Sequence, residues 1–266
     1  MNKYKPLVSV IMSEYNTKEE LLLECINSIL NQTYKNFELI IIDDCGKNDL
    51  NTIINKINDK RIKCYKNEKN MGLVYSLNKA IKLSSGKYIA RMDTDDYAYP
   101  NRLEVEVEFL EKNSNIDIIS TRADFYDGEI IWGESKFFGE VNKKNMLSGS
   151  PLIHPATMYK KSIIEKIGGY LNYHRCEDYA TWIELFVNGF NFYVLEDKTL
   201  RYHLSEDDYK KRTLKMRKEF FRMFREQYIK LNPSLKQKLV IYIKTFIAGI
   251  LPYKIMYKYH NKKFKK

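Results

Sequence analysis

Cysteine is scarce: Cys25, Cys45, Cys64 and Cys176 are the only four in 266 residues, with no CxxC pair and no histidine at zinc-ligand spacing. That argues against a zinc module and a disulfide scaffold, and a reduced cytosolic setting is the simpler expectation. Glycine-rich nucleotide loops are missing too. No GxGxxG follows the first predicted strand, and neither GxxxxGKS nor GxxxxGKT occurs, which counts against a dinucleotide cofactor and a P-loop NTPase. No apolar run reaches the roughly 20 residues that span a bilayer. The opening MNKYKPLVSVIM lacks the apolar core and cleavage site of a signal peptide, so no secretory leader is expected. There is no repeat at solenoid spacing.

Positive charge is present but confined. Residues 201–266 hold 19 Lys and Arg against 5 Asp and Glu, or +14, which leaves 26 against 29, or −3, for residues 1–200. The expectation is a near-neutral body over residues 1–205, divided near residue 120, and a basic helical extension over 206–266 that meets an anionic surface. The extension's interleaved aromatics fit nucleic acid or membrane. Residues 1–200 contain no nucleic-acid module, so no nucleic acid is expected, and the segment from Leu235 onward suits a helix lying in a membrane interface.

In the body, LVSVIM at 7–12, FELIII at 37–42, RIKCY at 61–65, YIARM at 88–92 and IDIIS at 116–120 read as short buried strands. Leu22, Ile26, Ile29 and Leu30 share one helical face, as do Leu73, Leu77, Ala80 and Ile81. A helix is expected from near Asp178, and a long basic helical stretch over 209–230 that ends at Asn232 and Pro233. Strand and helix in alternation imply an α/β fold with a Rossmann-like, mainly parallel central sheet flanked by helices. Ligands of such sheets bind outside the strands' carboxyl ends. Ser13 to Asn16, then Asp43 and Asp44, then an aspartate cluster all fall on that rim.

The cluster ends KYIARMDTDD, residues 87–96. Alternation along extended backbone would point Asp93 and Asp95 to one side and Thr94 to the other. Two hard oxygen ligands could then face one Mg²⁺ or Mn²⁺, with other positions left to water and phosphate oxygens. The competing reading is an acidic turn before a helix. Asn101 and Glu104, three apart, are expected to supply that helix with its own capping box.

Six blocks in order resemble the family 2 inverting glycosyltransferases of the GT-A fold, over roughly residues 6–200: PLVSVIMSEYN, SILNQTYKNFELIIIDDCGKND, NEKNMGLVYSLNKAI, GKYIARMDTDDYAYPNRLE, HPATMYKKSIIEKIGGY and CEDYATWIEL. Two positions depart from the pattern: Glu14 stands where many relatives carry a small or apolar residue, and Cys45 where glycine is common. The resemblance implies that Tyr15 stacks on a nucleotide base and Asp44 accepts a base N–H. Ser13 and Glu14 would line the same pocket, with Asn70 in the neighbouring Asn-x-Gly loop. Asp93 would lie near the ribose and Asp95 would bind Mn²⁺ or Mg²⁺, Asp93 sharing the metal site and Asp96 supporting it. Asp178 would be the catalytic base, with His154 and Glu177 on the acceptor side. It further implies a nucleotide-sugar donor, a UDP-sugar, and a glycan or polyprenyl-linked oligosaccharide acceptor in bacterial surface-polysaccharide synthesis. With the basic tail, this places the enzyme in the cytoplasm, peripheral to the inner face of the membrane.

Each residue also has a plainer reading. Tyr15 is one of 21 tyrosines, Asp44 and Asn70 could belong to ordinary turns beside Gly46 and Gly72, and His154 could fix a bend before Pro155. Asp178 could be a first-turn residue held ionised by the helix dipole. Two other functions share the same features: a sugar-nucleotidyltransferase using the aspartates for NTP and metal, and a nucleic-acid-binding protein led by the tail.

Overall fold

Alternation along the first strands gives the sheet two apolar faces. In β1 (Val8–Glu14), Val8, Val10 and Met12 face one core layer and Ile11 the other; β2 (Phe37–Asp43) divides Leu39 and Ile41 from Ile40 and Ile42 in the same way. The first layer is covered by α1 (Glu19–Leu30) and α2 (Leu50–Ile57), the second by α3 (Leu73–Leu83). The computed structural model describes residues 5–210 and 217–265. With β3 (Ile62–Lys66) and β4 (Tyr88–Arg91), these strands pair in parallel in the order β3-β2-β1-β4. The chain winds outward from β1 in both directions, so a crevice opens where the carboxyl ends of β1 and β4 meet. β3 is an edge strand and only half-buried, short of the expected full burial.

Beyond β4 the sheet departs from the expected parallel pattern. After β5 (Tyr97–Ala98) and α4 (Arg102–Lys112) come β6 (Ile118–Tyr126), β7 (Ile131–Glu134), β8 (Gly139–Glu140), α5 (Lys143–Ser148), β9 (Thr157–Lys160), α6 (Lys161–Lys166), α7 (Glu177–Val187) and β10 (Phe192–His203). β9 inserts antiparallel between β4 and β6, while β10 pairs with β6 in parallel, giving a mixed sheet. The segment before β9 carries only short α5 and a 3₁₀ turn at His154–Ala156, and no long crossover helix leads into β9 as a parallel return would need. The expected capping box of α4 does not form. Asn101 precedes the helix without a side-chain cap, and Glu104 instead accepts the Thr33 hydroxyl at 2.8 Å.

The basic extension is several short helices. Of the helical stretch expected over 209–230, α8 (Glu206–Lys210) and α9 (Lys218–Glu226) are helical, and residues 211–216 lie outside the described residues. A 3₁₀ turn at Tyr228–Leu231 ends with Asn232 in the left-handed region, φ 48°, before Pro233. α10 (Leu235–Ile250) starts with a true capping box between Ser234 and Gln237, and α11 (Tyr253–Phe264) follows Pro252. Met223, Phe224, Tyr228 and Ile241 are buried in the same core as Trp182 of α7, so the boundary near residue 205 separates charge and not packing. Among the described residues no helix is long and apolar enough to cross a membrane.

Candidate active site

A single cleft of about 1460 Å³ runs along the strands' carboxyl ends and is lined by Ser13, Tyr15, Asp44, Asn70, Asp93, His154, Glu177 and Asp178. At its β1 end Tyr15 is 52% exposed, leaving a ring face open to a flat ligand. Glu14 is absent from the lining. Ser13 and Tyr15 point one way from the end of β1 and Glu14 the other, where its Oε1 accepts Thr17 N–H at 3.0 Å and Asn48 Nδ2 at 2.8 Å. Its expected place in the pocket is corrected to that of a fully buried brace for the loop from Gly46 to Asn48, and burial raises its pKa.

Asp44 is almost wholly buried beneath the same end of the cleft. Oδ1 accepts Asn67 Nδ2 and Met71 N–H, both at 2.7 Å, and Oδ2 accepts Gly72 N–H at 2.8 Å. A carboxylate offers about four lone-pair positions, so three donors leave room for one more. Asp44 thus ties the Asn70–Gly72 loop to β2, and Gly72 supplies the positive φ of 86° that the loop's turn into α3 requires. The turn after Asp44 also runs through the left-handed region at Cys45, φ 58°, which accounts physically for a preference for glycine there.

The aspartates converge by a route other than alternation. β4 ends at Arg91 and the chain turns at Thr94 and Asp95, yet carboxylate oxygens of Asp93, Asp95 and Asp96 lie within 4.8 Å of one another. Desolvation and the neighbouring Asp93 charge push Asp95 up to about 6. Asp96 is buried, and its Oδ1 accepts the backbone N–H of His203 at 2.7 Å. That bond brings the end of β10 to the cluster, where His203 Nδ1 lies 3.8 Å from Asp95 Oδ2 and is itself buried with no hydrogen-bond partner. Clustered carboxylate oxygens and a buried, unused imidazole nitrogen suit a divalent cation such as Mg²⁺ or Mn²⁺.

Arg91 joins this cluster to the opposite wall. Strand parity places it on the face of Ile89, toward α3 and α7, where it is 2% exposed and forms an ion pair with Asp93. Its charge also acts on Glu177 and Asp178, the first two residues of α7. Burial and the Asp178 charge push Glu177 up to about 7, and burial raises Asp178 against the opposing pull of the Tyr179 N–H and Arg91. Desolvation therefore raises Asp178 above the ordinary aspartate value even in the first turn of α7, where the helix dipole is expected to favour its ionised form. His154 is buried, its Nε2 3.0 Å from the Tyr170 hydroxyl, and desolvation together with Arg91 lowers its pKa well below the ordinary value, so the ring is neutral. Pattern reading passed over two residues. Arg91 had a signal, a charge inside the apolar run YIARM, whereas His203 had none because it stands far along the chain from the aspartates.

The family model "Glycosyl transferase family 2" matches residues 9–168, more than half of the chain. The chain belongs to this family. As a family 2 glycosyltransferase it is 37% identical over 221 residues to an uncharacterised glycosyltransferase of Methanocaldococcus jannaschii, covering 80% of this chain and 76% of that one. An Escherichia coli UDP-Gal:alpha-D-GlcNAc-diphosphoundecaprenol beta-1,3-galactosyltransferase is 32% identical over 221 residues, with 80% and 79% covered. In three dimensions the glycosyltransferase is similar to S. aureus TarS in complex with UDP, with TM-score 0.67, 21% identity and 87% and 68% of the chains covered. It is also similar to the mannosyltransferase PcManGT of Pyrobaculum calidifontis in complex with GDP-Man and Mn²⁺, with TM-score 0.67, 16% identity and 98% and 81% covered. Family membership decides for glycosyl transfer over the nucleotidyltransferase and nucleic-acid readings.

Proposed function

We propose that the protein moves a sugar from a UDP-sugar to a hydroxyl of a glycan carried on a polyprenyl diphosphate, with inversion at the anomeric carbon. The observation that carries this reading is the meeting in one cleft of the Asp93–Asp95–Asp96 cluster and the Glu177–Asp178 pair, bridged by Arg91. Tyr15 stacks on the base, and Asp44 holds the Asn70 loop against the nucleotide while keeping one acceptor position for a base N–H. Asp93, Asp95 and His203 would hold Mn²⁺ or Mg²⁺, with Asp96 fixing His203 through its backbone. When bound, such a cation stabilises negative charge on the leaving diphosphate.

Asp178 takes the proton of the acceptor hydroxyl as that oxygen attacks the anomeric carbon from the side opposite the diphosphate. The new C–O bond forms while the bond to the diphosphate breaks, and its electron pair leaves with UDP. A base whose pKa lies above that of an ordinary aspartate is better matched to this proton transfer. Arg91 opposes the rise, which favours the ionised form that a base requires. Glu177 and neutral His154 shape the acceptor side.

The extension supports attachment to the cytoplasmic membrane face. α10 docks through buried Ile241 and Thr245 but leaves Leu235 82%, Leu239 60%, Ile243 47% and Ile250 55% exposed. Residues 227–266 contain ten lysines and no acidic residue. An apolar helical face framed by cations suits the interface of an anionic bilayer, where a lipid-linked acceptor would lie. Nucleoside diphosphate release by the full chain from UDP-glucose, UDP-galactose, UDP-N-acetylglucosamine and GDP-mannose, with Mn²⁺ or with EDTA, tests the activity. Metal-dependent UDP release is expected. Pyrophosphate as product, or no release from any donor, overturns the reading.

A further inference from the structure

Arginine is a paired residue almost throughout the body. Of the six arginines in residues 5–210, Arg61, Arg91, Arg102, Arg122 and Arg201 each form an ion pair with a carboxylate. Arg175 is the exception: it is exposed and makes no ion pair or hydrogen bond among the described residues. It nevertheless lines the active-site cleft, three residues before Asp178 in the turn that leads into α7.

Arg175 is held there under strain. Its backbone lies in the left-handed region, φ 63°, which glycine adopts freely and asparagine readily, but an arginine does not. The turn is braced from the extension: Arg222 of α9 donates to the Asn172 carbonyl at 2.6 Å, and the Tyr173 hydroxyl donates to Glu226 at 2.6 Å. α9 packs in turn on α10, with the Phe221 and Tyr242 rings stacked at 5.8 Å. The turn thus links the catalytic base to the helix that presents the apolar stripe.

We propose that Arg175 binds the diphosphate of the polyprenyl-linked acceptor and so seats the sugar next to it against Asp178. The proposal rests on the transfer reaction proposed above and gives its acceptor's anion a partner. Asp93, Glu177 and Asp178 line the cleft, so an entering diphosphate meets like charge and is turned away unless a cation answers it. Among the cleft's other arginines, Arg91 is engaged by Asp93 and Arg217 lies over the Phe220 ring. A metal ion at the aspartates would serve the donor's diphosphate, which leaves Arg175 for the acceptor's. Its guanidinium matches phosphate oxygens with paired N–H donors in a fixed fork and stays charged at any working pH. One pyranose ring separates a hydroxyl from a diphosphate on the same sugar, which fits the single turn of chain between Arg175 and Asp178.

The test is calorimetry on the full chain with UDP and Mn²⁺ at saturation, so that the donor end is filled, using geranyl diphosphate as probe and geraniol as its uncharged control. The parent is expected to bind geranyl diphosphate. Arg175→Asn suits the left-handed turn and removes the cation, so affinity for geranyl diphosphate should fall about tenfold to 100-fold, the loss expected for one charge-assisted contact. Geraniol binding, UDP affinity and the melting transition should stay those of the parent. Equal affinity for geranyl diphosphate in parent and variant, or no binding by the parent, overturns the subsite. A fall in UDP affinity of the same size also overturns it, by giving Arg175 to the donor's diphosphate. Failure of the parent to bind UDP with Mn²⁺ would instead overturn the function beneath it.

Discussion

The body and the extension treat the two kinds of side chain in opposite ways. In residues 1–200 the strands β1, β2 and β4 are buried on both faces, and charged groups such as Arg91, Asp96, Arg102 and Glu106 are drawn inside, Arg91 lining the cleft and the others behind it. Arg102 shows how: its Nη2 donates to the Arg91 carbonyl at 2.8 Å while its Nε donates to Glu106 at 3.0 Å, so a buried ion pair supports the turn that carries the aspartates. In α10 the apolar side chains stand outside and the lysines beside them reach water. A buried charge needs a fixed partner, which gives geometry, whereas an exposed apolar stripe needs only a surface to cover it. The body thus encloses a cleft of fixed geometry, and the extension leaves an apolar stripe uncovered.

The sharpest way to break this contrast is Asp95→Ala. Loss of cation-assisted departure removes several kcal/mol of transition-state stabilisation, so transfer should fall by roughly 100-fold to 10,000-fold. Circular dichroism should remain that of the parent, because Asp95 sits on the half-exposed rim. Parental activity of this variant in excess EDTA would remove the cation from the mechanism. Asp178→Asn comes next. Asn keeps the shape and caps helices about as well as Asp but cannot accept the proton, so turnover should drop about 100-fold to 10,000-fold while calorimetric UDP affinity holds.

The extension's side of the comparison is sharpened by Leu239→Asp combined with Ile243→Asp. Each apolar side chain withdrawn from a lipid interface forfeits about 1.5 kcal/mol, so partition onto phosphatidylglycerol vesicles should weaken about 100-fold. Both residues face outward, and donor hydrolysis in detergent-free buffer should be unchanged. Equal vesicle binding by parent and variant would leave the stripe to another occupant, such as a second copy of the chain. The smallest effect concerns pH. Asp178 must be ionised to act as base, so the rate falls as pH drops through its pKa, and burial puts that acid limb above the ordinary aspartate value. Arg91 opposes the rise; Arg91→Met should therefore move the acid limb of the pH–rate profile to higher pH, and an unmoved limb would separate Arg91 from Asp178.

Much of the body was legible before folding. Val8 to Met12 and Phe37 to Ile42 announce strands because a chain buried on both sides must be apolar at nearly every position, and the rim residues follow from where those runs stop. Asp44 after β2 follows in this way, whereas Asp178 at the start of α7 entered through the family resemblance. Glu14 was misplaced because sequence neighbours on a strand point to opposite sides, and proximity to Tyr15 along the chain said nothing of direction. His203 could not be seen at all.

The amino-acid sequence by itself therefore determined most strands and helices of roughly the first 120 residues, the carboxyl-end rim and the split between a near-neutral body and a basic tail, because periodicity and charge are local properties of the chain. Only the tertiary structure decided that β9 runs antiparallel between β4 and β6, that β10 carries His203 to the aspartates, that Arg91 faces α7, and that α9 braces the turn before Asp178. These meetings join residues far apart in the chain. Sheet order and side-chain burial set them, and no local spacing encodes either.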